Sequence, residues 1–159
     1  MAESASGWGE VANSRLTGSS DLVLDAKGRI AIPARHRDIL TAMNVTNLTI
    51  TKHRQGALMI FPQPAWDAFS ARVAALPMEA DGWQRFFLGN AVEVELDGSS
   101  RVLIAPSLRK FANLEREVTL IGVVSHFELW NTKAYEDHEA EVLKSDMPAS
   151  LKSFSVQAA

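Results

Sequence analysis

Two acid–base pairs share one spacing: Asp25 with Arg29, and Asp97 with Arg101. A carboxylate four residues before a guanidinium, with turn-forming residues between, spans a single tight turn. The Asp can then accept amide hydrogens of the turn or orient the Arg. Holding a hairpin shut is the expected role for Asp25 and Asp97, with Gly28 free to take a positive φ. The surroundings of Arg29 ask for more. Residues 25–54 carry Lys27, Arg29, Arg35, Arg37, Lys52 and Arg54 against two carboxylates, a net +4, with His36 and His53 beside them. Cations crowded this way repel one another in water, and an anionic partner relieves the repulsion. A phosphate backbone supplies such charge continuously, and the arginine fork fits O6 and N7 of guanine in the major groove. Arg29, at the hairpin, is expected at base edges, and Lys27, Arg35, Arg37 and Arg54 at phosphates.

Enzyme chemistry finds little here. The chain has no cysteine, hence no thiol nucleophile, no disulfide and no thiolate zinc site. It shows no phosphate-binding loop, no G-x-S-x-G and no H-E-x-x-H. His126 and Glu128 are two apart on an alternating stretch and share a face, a pair expected to be structural. His138 sits among Glu136, Asp137, Glu139 and Glu141, which read as a solvated acidic helix face. Glu93, Glu95 and Asp97 have no second set of ligands with which to enclose a cation. No catalytic residue, metal, cofactor or small-molecule substrate is expected.

The elements that must position Arg29 are written twice. Leu22 to Leu40 (LVLDAKGRIAIPARHRDIL), moved forward by 72 residues, falls on Val94 to Ala112 (VELDGSSRVLIAPSLRKFA). Asp25 lands on Asp97, Arg29 on Arg101, Ile30 on Val102, Ile32 on Ile104 and Arg37 on Arg109. A repeat of this kind marks two similar joined units. Each alone, at roughly 70 residues, would have a marginal core, so pairing between halves or between chains is expected. Each unit reads as strand, turn, strand, short helix, then a second strand pair and a closing helix. In the first unit these are Leu22–Leu24, the turn from Asp25, Arg29–Ile32, Ala34–Met43, Asn47–Thr51 with Ala57–Phe61, and Ala65–Leu76. In the second they are Val92–Leu96, Arg101–Ile104, Ser107–Phe111, Val118–Val123 with Phe127–Trp130, and a helix from Asn131 or Thr132 to about Leu143. In that last helix Tyr135 takes the place of Trp66, at an offset of 69 that the longer Lys52–Gly56 loop would explain. Residues 79–91 read as a connecting helix whose Trp83, Phe86, Phe87 and Asn90 share a packing face.

The expected domains are a flexible leader (1–19), the first unit (20–77), the connecting helix (78–91), the second unit (92–146) and a C-terminal tail (147–159). Leu151, Phe154 and Val156 in that tail could dock elsewhere. The 159 residues carry a net charge of −3. Residues 1–75 hold eight Lys and Arg against six Asp and Glu, and residues 76–159 hold eight against thirteen. That asymmetry points to one basic face. No run of about 18 apolar residues spans a membrane, no secretory signal opens the chain, and cysteine-free composition fits the cytoplasm.

LDAKGRIAIPARHRD and LDGSSRVLIAP resemble the two Asp-x-x-x-Arg segments of the MraZ family of bacterial transcriptional regulators. FLGNAVEVELDG, VTLIGVVSHFELW and the Phe61–Trp66 segment resemble further family blocks in the same order, from about Leu16 to Val156. The resemblance implies an α+β fold: two tandem AbrB-type swapped-hairpin units forming a pseudo-symmetric double-psi-like barrel with flanking helices. It implies a ring-shaped homo-oligomer, expected to be an octamer, in the cytoplasm and on the nucleoid. Its partner would be double-stranded DNA, at tandem G-containing promoter repeats of the division and cell-wall gene cluster, which binding represses. Asp25, Arg29, Asp97 and Arg101 carry the family motif. The second turn reads Gly98-Ser99-Ser100 where the family often has glycine before the Arg, which bears on how Arg101 is held. With the second unit at −5, Arg29 is expected to matter more than Arg101. An AbrB-like antitoxin that binds a toxin protein is the alternative.

Overall fold

The two copies exchange their first strands. A computed structural model of the chain describes residues 15–153; the expectations for the leader before Arg15, and for Phe154 and Val156, lie outside the described residues. The first copy comprises β1 (Leu16–Val23), β2 (Arg29–Ala31), α1 (Ala34–Ala42), β3 (Asn47–Lys52), β4 (Leu58–Pro62) and α2 (Gln63–Ala74). A 3₁₀ turn (Met78–Ala80) and α3 (Asp81–Leu88) follow. The second copy comprises β5 (Val92–Glu95), β6 (Arg101–Leu103), α4 (Pro106–Phe111), β7 (Glu117–Val124), β8 (Phe127–Asn131), α5 (Thr132–Lys144) and α6 (Ala149–Lys152).

The six longer strands form one antiparallel sheet in the order β1-β7-β8-β4-β3-β5, and β2 pairs with β6 in a separate ribbon. Thus β1 of the first copy lies on β7 of the second, with Leu22 opposite Val118. Reciprocally, β5 lies on β3, with Leu48 opposite Val94. A pseudo-two-fold axis runs through the Met59–Glu128 pair of the β4–β8 ladder and the Ile30–Val102 pair of the ribbon. Among the described residues the ladders give a sheet and a ribbon, and no ladder closes the sheet on itself.

This swap explains how two small halves obtain one core. Ile30, Leu48 and Ile60 from the first copy and Val102, Val118 and Leu129 from the second belong to a single buried cluster. Burying each such side chain is worth roughly 1.5–3 kcal/mol, so neither half alone would hold its strands. The first strand begins at Leu16 rather than Leu22. Gly18, Ser19 and Ser20 have poor strand propensity, but a full ladder with β7 overrides it.

Helices α1 and α4 start alike, after Pro33 and Ala105, and both end on an asparagine in the left-handed region, Asn44 (φ 59°) and Asn113 (φ 52°). Helix α1 has nine residues and α4 six. That difference, and not mainly the Lys52–Gly56 loop, moves the repeat offset from 72 toward 69. Asn131 caps α5, its side-chain oxygen accepting from the Ala134 amide at 3.0 Å. No helix among the described residues is long and apolar enough to cross a membrane.

Candidate nucleic-acid interface

The ribbon of β2 and β6 carries the paired motif. In the ladder Arg29 faces Leu103, Ile30 faces Val102 and Ala31 faces Arg101. Ile30 and Val102 point into the core. Strand alternation therefore turns Arg29, Ala31, Arg101 and Leu103 to the other side. Arg29 and Arg101 are diagonal neighbours there, a relation that places residues roughly 7–8 Å apart. Two residues 72 apart in the chain thus occupy one small face, related by the pseudo-two-fold axis.

Each arginine is clipped by its own turn. Asp25 Oδ1 accepts the amides of Lys27 and Arg29, both at 2.9 Å, while Oδ2 accepts Arg29 Nε at 2.8 Å. The Gly28 amide closes the turn on the Asp25 carbonyl at 2.9 Å. Asp97 repeats the pattern, taking the Ser99 and Arg101 amides at 2.8 and 2.9 Å and Arg101 Nε at 3.0 Å. The bonds donated by the Arg29 and Arg101 amides are the largest cause holding the two carboxylates below their ordinary value. Both Asp residues are thereby kept ionised beside the cations they orient. Among the described residues neither Arg29 nor Arg101 has a partner for its two terminal nitrogens, and the Arg29 side chain is 26% exposed. A guanidinium aimed through Nε, with its outer edge unspent, is suited to bidentate recognition.

The second turn reaches this geometry without glycine. Gly28 has φ 87°, and Ser100 stands in its place at φ 59°. The Gly98-Ser99-Ser100 departure therefore leaves Arg101 oriented like Arg29. What the glycine permits is a neighbour. A Cβ on Gly28 would lie 2.7 Å from both Cζ and Nε of Arg109, whose Nε is bonded to the Ile104 carbonyl at 2.9 Å.

The other expected phosphate contacts are spread more widely. Lys27 is exposed in the first turn. Arg37, the counterpart of Arg109, is exposed and only loosely paired with Asp38 at 3.4 Å. Arg35 is exposed in part and lies across β1, where a Cβ on Gly18 would meet its guanidinium at 2.5 Å. Arg54 sits exposed in the β3–β4 turn. The ladder places that turn at the same edge of the sheet as the end of β1, three strand spacings away. Lys52 is turned elsewhere, with Nζ 4.7 Å from the centre of the Phe111 ring.

The His126–Glu128 stretch does share a face, but its bonds go elsewhere. Glu128 accepts Trp130 Nε1 at 2.9 Å and meets His53 Nε2 at 3.2 Å. His53 first, and then Trp130, pull Glu128 below the usual carboxylate range against its burial. Its partner His53 is 75 positions earlier, a link no local spacing announces. Among the described residues no group of three His, Cys, Asp or Glu is placed to hold a metal.

Comparison with known proteins follows the same two-part division. A family model described as "MraZ protein, putative antitoxin-like" matches residues 16–86 and again 87–153. A protein of Methylibium petroleiphilum named "Transcriptional regulator MraZ" is 56% identical over 138 residues, 87% of this chain and 94% of that protein. Proteins of the same name from Acidovorax sp. (strain JS42) and Cupriavidus taiwanensis are each 51% identical over 138 residues, 87% of this chain and 97% of theirs.

Proposed function

The chain belongs to the MraZ family, and from that membership together with the paired arginines we propose that it is a transcriptional regulator acting on promoter DNA. The observation that carries the reading is the ribbon face, where Arg29 and Arg101 stand as diagonal neighbours, each aimed by its own aspartate. On this account the two guanidinium edges meet guanine in the major groove, where one good bidentate pair is worth about 1–3 kcal/mol of discrimination. Lys27, Arg35 and Arg37 contact the flanking phosphates and set the register, with Arg54 reaching phosphates farther along. The target is tandem G-containing repeats upstream of the division and cell-wall genes, and binding represses them.

One protomer offers too few phosphate contacts for tight binding. A ring-shaped homo-oligomer, presenting the face once per copy, engages several repeats at once and gains from effective concentration. The asymmetry in charge adds a gradation. Lys27, Arg35 and Arg37 lie within eight residues of Arg29 in the chain, whereas Ser99 and Ser107 stand in the places of Lys27 and Arg35, and Arg109 is tied to Ile104. Arg29 therefore carries more of the affinity than Arg101.

Fluorescence anisotropy on a labelled promoter fragment, against a scrambled fragment and at two salt concentrations, tests the proposal. Specific binding that weakens steeply with salt is expected. Binding indifferent to salt, or equal on both fragments, would overturn it. The family's description as antitoxin-like favours a second reading, capture of a toxin protein, which predicts no promoter binding at either salt concentration.

A further inference from the structure

Among the described residues the first copy has a helix over its sheet with no counterpart in the second. Helix α3 lies across α2 and β3. Gln84 Nε2 donates to the carbonyls of Val73 at 3.1 Å and Leu76 at 3.2 Å. The Phe87 ring stands edge-on to Phe69 with centroids 5.5 Å apart, and the Thr51 hydroxyl donates to the Phe87 carbonyl. Beneath that cover Val73 is 6% exposed.

The strand pairings give the equivalent places in the second copy: Ile121 for Thr51, His138 for Phe69 and Val142 for Val73. All three line a groove of about 310 Å³ whose walls include Trp130, Tyr135, Glu139 and Glu128, the last bonded to Trp130 and His53. Val142 is 53% exposed, and the adjacent Leu143 is 81% exposed. Helix α6, which occupies the chain position of α3, is four residues long and exposed throughout.

The same chain carries a matching projection. At the corner between α2 and α3, Leu76, Met78 and Trp83 are 43%, 87% and 50% exposed. The Trp83 indole is stacked on Phe87 with centroids 5.9 Å apart, which leaves its outer face open. Exposed Arg72 and Arg85 flank this corner, Arg85 beside Asp81 at 3.5 Å. Arg72 is opposite in charge to the exposed Glu139 of the groove.

We infer that the groove beside α5 receives the Trp83 corner of a second copy of this chain. The first copy shows what such a surface accepts, because the equivalent face there is covered by the aromatic side of α3. Groove and corner are different patches, so the contact is head-to-tail and repeats until the rotation closes a ring. Self-assembly belongs to the functional reading above, on which this inference rests; the inference adds which surfaces meet.

The absence of native cysteine allows a direct test. Met78→Cys and Leu143→Cys change exposed side chains outside the proposed DNA face, and thermal melting checks that each variant folds. With a short thiol cross-linker, a mixture of the two single variants should give a covalent dimer while neither alone does. The double variant should give a ladder ending at the full assembly. Trp83→Ala and Val142→Asp, tested by light scattering, should weaken assembly at least about tenfold. A single variant that cross-links to itself would replace the head-to-tail contact with a symmetric one and overturn the inference. So would an assembled protein whose mixed variants fail to cross-link and whose Val142→Asp form assembles normally. Cross-linking that appears only after removal of residues 154–159 would assign the groove to the chain's own end instead. A wild-type chain that stays monomeric, with or without DNA, would remove the self-assembly reading itself, a result distinct from all of these.

Discussion

The two Asp-x-x-x-Arg turns make the same side-chain bonds with different residues at the left-handed position. Asp25 and Asp97 each accept two turn amides and the Nε of their arginine, at distances that agree within 0.2 Å. Yet the left-handed position is glycine in one and Ser100 in the other. The carboxylate clip therefore defines the turn, and glycine is an aid to it. Where Gly28 has no Cβ, Arg109 folds over the turn and spends its Nε on the Ile104 carbonyl. Ser100 carries a Cβ at the equivalent place, and Arg37, which symmetry would lay across it, stays exposed. A one-residue difference thus leaves the first copy with the freer cation.

Three changes would break or sharpen that contrast. The largest stability effect is expected at Gly28. Gly28→Ala adds a Cβ at φ 87° against the guanidinium of Arg109, and should cost about 2 kcal/mol or more, from the left-handed backbone and the displaced neighbour together. A thermal melt reads this, and an unchanged melting temperature would mean that Arg109 moves away freely.

Next comes the buried helix position where the copies differ most. His36 is 1% exposed, its counterpart Leu108 is also 1% exposed, and neither His36 ring nitrogen has a partner among the described residues. The ring stands edge-on to Phe127 at 5.0 Å. Burial first, then the charge of Arg35, holds His36 below its ordinary value. The unfolded chain thus takes up this proton more readily, so stability falls as pH drops below 6.5 toward the native value. His36→Leu should stabilise the fold by about 1–3 kcal/mol at neutral pH, since it removes two unsatisfied buried groups. It should also flatten the loss of stability between neutral and mildly acidic pH, as read by denaturant titrations at several pH values.

The smallest stability effect should come from Ser100→Gly, which relieves a left-handed serine and should gain about 0.5–1 kcal/mol. A loss of stability there would show that the serine side chain contributes something the turn geometry does not reveal.

Much of this was legible in the residues, and the exceptions have physical reasons. The repeat, the turns, the strand faces and the Asn131 cap follow from local chemistry, which is why Asp25 and Arg29 could be matched to Asp97 and Arg101. The start of β1 was not legible, because Gly18 to Ser20 become a strand only through pairing with a segment about a hundred residues later. Nor was the pairing of Arg29 with Arg101 on one face, which depends on the β2–β6 register. His53 on Glu128 and Arg109 over Gly28 are likewise long-range contacts. Internal symmetry could have flagged His36, since the aligned position in the second copy is leucine.

The claim that one ribbon face reads DNA is tested most directly by promoter affinity in wild type, Arg29→Ala and Arg101→Ala at one fixed salt concentration. Loss of one bidentate contact costs about 1–3 kcal/mol, and repetition around an assembly multiplies it. The prediction is a fall of about 100-fold or more for Arg29→Ala and about tenfold for Arg101→Ala, with folding intact in both. Affinity unchanged in both variants would contradict the account, and equal losses would remove the proposed gradation between the copies while leaving the shared face in place.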